Sequence, residues 1–262
     1  MINKILPLLK YIWDTRSVWW FTSIAKSKTR FIRTYLGGFW LGLSDIISIG
    51  ILSFVYGTIF KVTNFKEYVI YLGIGLLTWN CISTSISSAP SIFDKNKTQI
   101  LNTNVTPLFF SIQEWSFTIQ NLMQAIAMVI LILSVFKYNL IFNLIIFGLF
   151  PLFNIFIFIY WFPLLISLVG TRFRDLTQLI PVALRLIFLT SPILYNKDSL
   201  GQIKWISNLN PVYLLIDNFR SSLIAGNFFL LDNLSMFLLN LFGLYFSLYV
   251  YLKLKRALPF YL

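Results

Sequence analysis

Asp45 and Arg185 are the ionisable side chains set well inside long apolar stretches of this 262-residue sequence. A lone charge near the middle of a hydrocarbon layer costs about 2.5–3.5 kcal/mol on insertion scales. Each therefore demands an opposite charge, a water-filled channel, or a path along which it snorkels to the interface. Counted from Gly38 and Leu176, where their stretches begin, the two lie about seven and nine residues deep, so at about 1.5 Å per residue their depths nearly match. Pairing of the two, independent channel lining and helix-end snorkelling all fit that register.

The groups that usually do catalysis are missing. The sequence has no histidine, and it contains no Gly-x-Ser-x-Gly, Gly-x-Gly-x-x-Gly or phosphate-loop motif. Cys81 is its one cysteine, which excludes an intrachain disulfide and a Cys/His metal site and reads as a small buried hydrophobe. Active transport by such a chain must take its energy from a second chain or an ion gradient. Two buried charges make a thin relay for an ion.

The elements that position these residues are membrane spans. Hydrophobic residues make up 58% of the chain and aromatic ones 18%, with a mean hydropathy of +0.77, beyond the range of a water-soluble domain. A bilayer core about 30 Å thick needs roughly 20 helical residues, and only helices close their backbone hydrogen bonds within such a segment. The apolar runs predict six spans near Gly38–Phe60, Tyr68–Ser88, Trp115–Phe136, Leu140–Val169, Leu176–Leu194 and Leu234–Leu252. The expected fold is an all-α integral membrane protein with a single transmembrane domain over 1–262. Residues 1–36 form its cytoplasmic interfacial part and 37–262 the bundle.

A net charge of +12 suggests nucleic acid until the basic residues are placed against the spans. Lys4, Lys10, Arg16, Lys26, Lys28, Arg30, Arg33, Lys95, Lys97, Arg172, Arg174, Lys253, Lys255 and Arg256 fall on one side. Lys61, Lys66, Lys137, Lys197, Lys204 and Arg220 fall on the other. The bias predicts cytoplasmic N and C termini, and anionic lipid headgroups account for the charge without nucleic acid.

Met1 to Leu36 spreads its charges and has no apolar core leading to a small-residue cleavage site, so it is not read as a signal peptide. Ile5, Leu9, Ile12 and Trp13 recur at helical spacing, continued by Trp19, Trp20, Phe21 and Ile24, which predicts an amphipathic interfacial helix. Pro7 limits where it begins. Between the second and third spans, Phe93–Pro107 is polar with stranded apolar residues Ile100 and Leu101, long enough for a short surface helix. Arg172, Arg174 and Asp175, between the fourth and fifth spans, either contact a cytosolic protein or mark the inner boundary.

The loop between the fifth and sixth spans is too apolar for a solvated linker. Ser191-Pro192 breaks the preceding span, and Asn210-Pro211 reads as an N-cap with proline at the first helical position. Leu215, Phe219 and Leu223 share a face, and Gly226 can end the helix. A short helix flanked by breaks reads as re-entrant.

In order along nearly the whole chain, a set of segments resembles one family. They are Arg33-Thr-Tyr-Leu-Gly-Gly-Phe-Trp40, Phe54-Val-Tyr-Gly-Thr-Ile-Phe60, Gly73-Ile-Gly-Leu-Leu-Thr-Trp79, Phe173-Arg-Asp175, Ser191-Pro-Ile-Leu-Tyr195, Asn208-Leu-Asn-Pro211 and Phe219-Arg220. The pattern is similar to the polysaccharide-export permeases of ABC transporters, which serve O-antigen, capsule and teichoic-acid export. The resemblance implies a homodimer in a bacterial inner membrane, joined to two copies of an ATPase subunit that carries ATP and Mg. It implies outward movement of a lipid-linked glycan through a central channel. It assigns Arg33, Tyr35, Leu36, Gly37 and Trp40 to a gate helix at the channel entrance. The ATPase interface falls to the N-terminal helix and to Lys95, Lys97, Ile100, Leu101, Arg172, Arg174 and Asp175. The outer gate falls to Ser191, Pro192, Asn210, Pro211 and Arg220.

A glycan also has C–H faces that pack on aromatic rings. Trp79, Trp115 and Trp161 are therefore candidates for its path, although indoles are also common in interfacial belts and helix packing. Two other readings of the chain are a type-2 ABC exporter of a drug or lipid, and an integral-membrane glycan-modifying enzyme. The second would need acidic or histidine clusters at a membrane face.

Overall fold

The computed structural model describes residues 2–103 and 105–262, the side chains of residues 2–5, 198 and 203 excepted, and contains no strand among them. In chain order the helices are α1 Ile2–Asp14, α2 Arg16–Phe31, α3 Phe39–Ile59, α4 Phe65–Ser88, α5 Ile92–Lys95, α6 Lys97–Asn102 and α7 Pro107–Leu133. There follow α8 Leu140–Asn143, α9 Leu149–Gly170, α10 Leu176–Thr190, α11 Lys204–Leu209, α12 Pro211–Ala225, α13 Leu230–Leu254 and α14 Leu258–Tyr261. A π-helical segment, Leu144–Gly148, joins α8 to α9 without a break.

Five helical stretches among the described residues are long and apolar enough to cross a membrane: Phe39–Ile59, Phe65–Lys95, Pro107–Leu133, Leu140–Gly170 and Leu230–Leu254. The fifth expected span differs. It is the 15-residue helix α10, about 22 Å long at 1.5 Å per residue, short of a core about 30 Å thick. It stops because Ser191, at φ −91° and ψ 131°, is extended, the conformation that a following proline enforces.

Caps and prolines set some of the other ends. Asn64 accepts a hydrogen bond from the Glu67 amide at the start of α4, leaving Glu67 in the first turn, where a carboxylate favours the exposed amides. Pro107 and Pro211 open α7 and α12, where a missing donor costs nothing. Gly226 closes α12 in the left-handed region at φ 64°.

Helix α4 is the centre of the bundle, its apolar window 78% buried against 17% for α3. The outward faces of α3 and α10 carry Ile47, Ile51 and Phe54, and Leu179, Val182 and Leu186, all exposed. Helices α9 and α13 are joined by polar groups. Asn154 Nδ2 donates to the Asn233 carbonyl and Asn240 Nδ2 to the Asn154 carbonyl, each at 3.0 Å. Trp161 Nε1 donates to Asn240 Oδ1 at 2.9 Å. Such bonds hold helices together where lipid and side chain are equally apolar.

The N-terminal helices are docked. Trp19 Nε1 donates to the Ile12 carbonyl at 2.9 Å, tying the end of α1 to the start of α2. Ser23 Oγ reaches the Gln113 carbonyl at 2.8 Å, and Lys26 pairs with Glu114, fixing α2 along the start of α7. Leu8 and Ile12 turn toward the chain's own inner core, while Leu6, Leu9 and Trp13 stay exposed. The helix runs from Ile2 through Pro7 instead of beginning at it. The proline removes one bond, to the Asn3 carbonyl, close to an end where bonds are already incomplete.

Two further expectations change. The region 32–38 is turns and bends instead of a gate helix, and Gly37, at φ 54°, sits in the left-handed region just before α3. The stretch after α4 does form short helices, α5 and α6, but Ile100 is only 7% exposed and packs in the chain's own inner cluster. It needs no second protein to cover it; Leu101, 47% exposed, still has an open face. Asn104, in the same stretch, lies outside the described residues.

Candidate functional site

After α10 stops at Thr190, the chain continues without helix along the first turns of α4. Phe188 packs against Trp79 with ring centroids 5.3 Å apart, and Ile193 and Arg220 pack beside Gly75. The Tyr68 hydroxyl donates to the Leu194 carbonyl at 2.6 Å. Residues 188–195 thus climb beside α4 from Trp79 to Tyr68, and this segment cannot use helical bonds for its carbonyls.

Side chains supply the missing donors. The Tyr71 hydroxyl lies 3.1 Å from both the Pro192 and the Tyr195 carbonyl oxygens, its one proton shared between them. Arg220 Nη1 donates to the Pro192 carbonyl at 3.3 Å, and Nη2 donates to Asp217 Oδ1 at 2.6 Å. The guanidinium also sits over the Tyr71 ring, 3.6 Å from its centroid. Arg220 is 2% exposed, and a charge so deeply buried is tolerable because carboxylate, carbonyl and ring all face it.

Asn210 ties the two breaks together. Its Oδ1 accepts from the Val212 and Tyr213 amides and caps α12, while its Nδ2 donates to Ser191 Oγ at 2.8 Å. Ser191 Oγ in turn donates to the Ile187 carbonyl at 2.6 Å, closing the last turn of α10. The expected outer-gate residues Ser191, Pro192, Asn210, Pro211 and Arg220 therefore converge on one brace linking α4, α10 and α12. Tyr68, Tyr71 and Asp217 complete it and were not among the expected residues. Their only signals are the three-residue spacings Tyr68/Tyr71 and Asp217/Arg220.

The hydroxyls of Ser191, Tyr68 and Tyr71 and the carboxylate of Asp217 are all engaged in bonds within the brace. What it can do is hold unwound backbone where water is scarce, and make any shift of α10 against α4 break charged and neutral hydrogen bonds together.

Toward the end that carries the N-terminal helices, Asp45 Oδ1 accepts from Asn80 Nδ2 at 2.8 Å. No ion pair joins Asp45 to Arg185 among the described residues. Asp45 borders a hollow of about 400 Å³ with Asn80, Ser83, Pro181 and Leu184. Arg185 borders one of about 550 Å³ with Trp79, Asn80, Ser83, Leu184 and Phe188. The two hollows share Asn80, Ser83 and Leu184, so both charges lie along one groove between α3, α4 and α10.

Of the three candidate indoles, Trp79 lines this groove. Trp115 donates its N–H to the Phe156 carbonyl at 2.7 Å and meets Trp19 edge-on. Trp161 is held by Asn240 and stands edge-on to Phe158. Lys95, Lys97, Leu101, Arg172, Arg174 and Asp175 are exposed near the same end, as are Arg33, Tyr35, Leu36 and Trp40.

A bundle of long apolar helices, with one broken helix braced by side chains beside a groove, defines a multi-pass membrane protein. The family model described as "ABC-2 type transporter" matches residues 24–224, and the chain belongs to that family: it is the membrane subunit of an ABC-2 type transporter. It is similar to the O-antigen export system permease protein RfbA of Klebsiella pneumoniae. The two are 25% identical over 203 residues, covering 76% of this chain and 77% of that one.

Proposed function

We propose that this chain is the permease of an exporter that moves a lipid-linked polysaccharide, of the O-antigen or capsule kind, out across a bacterial inner membrane. The observation that carries the reading is the similarity to an O-antigen export permease over three quarters of both chains. The groove between α3, α4 and α10 supports it, since Asn80 and Ser83 line it with neutral polar groups suited to a sliding sugar, while Trp79, buried against Phe188, backs its wall.

In this reading α10 and the extended 191–195 segment together make the fifth of six crossings, and α12 re-enters the membrane from the outer side. The basic residues put both termini in the cytoplasm. Helices α1 and α2 lie at the inner interface, with Trp13, Phe21 and Leu9 toward lipid. A second copy covers the exposed faces of α3 and α10, and the groove becomes half of a shared channel. Two ATPase subunits, which carry ATP and Mg, dock on Lys95, Lys97, Leu101, Arg172, Arg174 and Asp175.

The test is removal of the chain from cells that still synthesise the lipid-linked glycan. The glycan is expected to collect on the cytoplasmic face and to leave it when the chain is restored. Normal surface glycan together with a changed drug or lipid efflux profile overturns the assignment.

A further inference from the structure

A cleft of about 910 Å³ opens at the end of the bundle opposite the N-terminal helices, between the α3–α4 turn, the α7–α8 turn and the segment after Tyr195. Small-molecule sites occupy about 300–1,000 Å³. Its lining sets ring faces and neutral hydrogen-bonding groups among Val62, Ile70, Ile224 and three charged residues. Phe60 and Phe136 are exposed rings at the rim, and Thr63, Asn64 and Ser199 are exposed polar residues beside them.

Lys66, Glu67 and Lys137 leave the lining with one net positive charge, and Lys137 Nζ donates to the Ile224 carbonyl at 2.7 Å. Phe60 is backed by Tyr56, stacked at 5.7 Å, so its ring is held in place. The turn that presents it is also fixed. Val62 donates to the Gly57 carbonyl and Lys61 to the Thr58 carbonyl, with Lys61 at φ 49° in a position that ordinarily goes to glycine.

Rings that accept C–H faces, set among amide and hydroxyl groups with a cation and an anion side by side in sequence, match a polyhydroxylated ligand better than a lipid tail, and the single excess positive charge makes phosphate the competitor to exclude. The inner wall of the cleft is Tyr68, Tyr71 and Tyr195. Two of these, Tyr68 and Tyr71, hold the broken helix through the Leu194 and Pro192 carbonyls.

We infer that this cleft binds a short oligosaccharide, a segment of the exported glycan as it leaves, in direct contact with the brace. The inference rests on the glycan-export reading above. Seated sugar then bears on the tyrosines that keep 191–195 in place, so that occupancy of the cleft and movement of the broken helix are linked.

The experiment uses the full chain in lipid nanodiscs with Ser199→Cys or Thr63→Cys. Cys81 is buried and leaves little background. The probe is the source cell's own surface polysaccharide, delipidated and cut to short oligosaccharides, and the readout is the rate of labelling by a hydrophilic maleimide. Labelling at both positions is expected to slow at least fivefold with the oligosaccharide, and Phe60→Ala with Asn64→Ala is expected to remove most of that protection. Unchanged labelling at both positions overturns the inference, as does equal protection by inorganic phosphate. Unprotected labelling in a protein whose loss still stops glycan export sinks the cleft alone; export that continues without the chain sinks the wider reading.

Discussion

Arg220 and Tyr71 bond the same acceptor, the Pro192 carbonyl, at 3.3 and 3.1 Å, while the guanidinium lies 3.6 Å above the tyrosine ring. The two side chains come from different helices, α12 and α4, and the carbonyl belongs to the unwound end of α10. One point thus locks three elements.

Replacing Arg220 by Met removes bonds from a charged donor and a desolvated cation–π contact, a loss of about 2–4 kcal/mol. Arg220→Lys recovers only part of it, because an ammonium cannot form the planar fork. Thermal unfolding in detergent measures both variants. Equal stability of Arg220→Met and wild type contradicts the brace.

Tyr71→Phe keeps the ring under Arg220 and removes the shared hydroxyl proton, costing about 1 kcal/mol. Combined with Arg220→Met, its effect should depart from additivity, as the two share an acceptor. A double-mutant cycle on unfolding free energy decides it, and strict additivity counts against a common lock.

A Cβ at Gly243 would stand 2.5 Å from the Trp161 ring, so Gly243→Ala overpacks the α9–α13 contact by about 1–3 kcal/mol. Trp161→Phe combined with Gly243→Ala should recover part of that loss. A neutral Gly243→Ala in the same unfolding assay would show that the helices can separate freely.

Lys61→Gly relieves a left-handed backbone at no contact cost and is expected to stabilise the chain by up to about 1 kcal/mol. A lowered melting temperature contradicts the account of the α3–α4 turn.

Leu101→Cys, on an exposed face, should crosslink to the ATPase subunit in the assembled transporter. Ile100→Cys should react poorly, since that side chain is turned into its own subunit. Free labelling of Leu101→Cys by a water-soluble thiol reagent in the complex removes this segment from the interface.

How much was legible in the sequence follows the range of the interactions. The limits of α12 were readable because Asn210, Pro211 and Gly226 act on their own neighbours, and Ser191-Pro192 announces a break for the same reason. Tyr68 and Tyr71 were not, since their partners lie more than 120 positions away along the chain and a tyrosine at a span end looks like an interfacial anchor. Asp45 and Arg185 match in depth, but depth says nothing of azimuth, and Asp45 turned to Asn80 instead. Ile100 shows a second limit: an apolar residue in a polar loop must be buried, yet its own chain can bury it as well as another can.

Inside-out membrane vesicles loaded on their outer leaflet with labelled lipid-linked glycan test the central claim most directly. With this chain and its ATPase present, ATP should carry the glycan into the lumen, out of reach of an added glycosidase, and vesicles lacking the chain should leave it exposed. Equal ATP-dependent protection in vesicles without the chain would contradict the account.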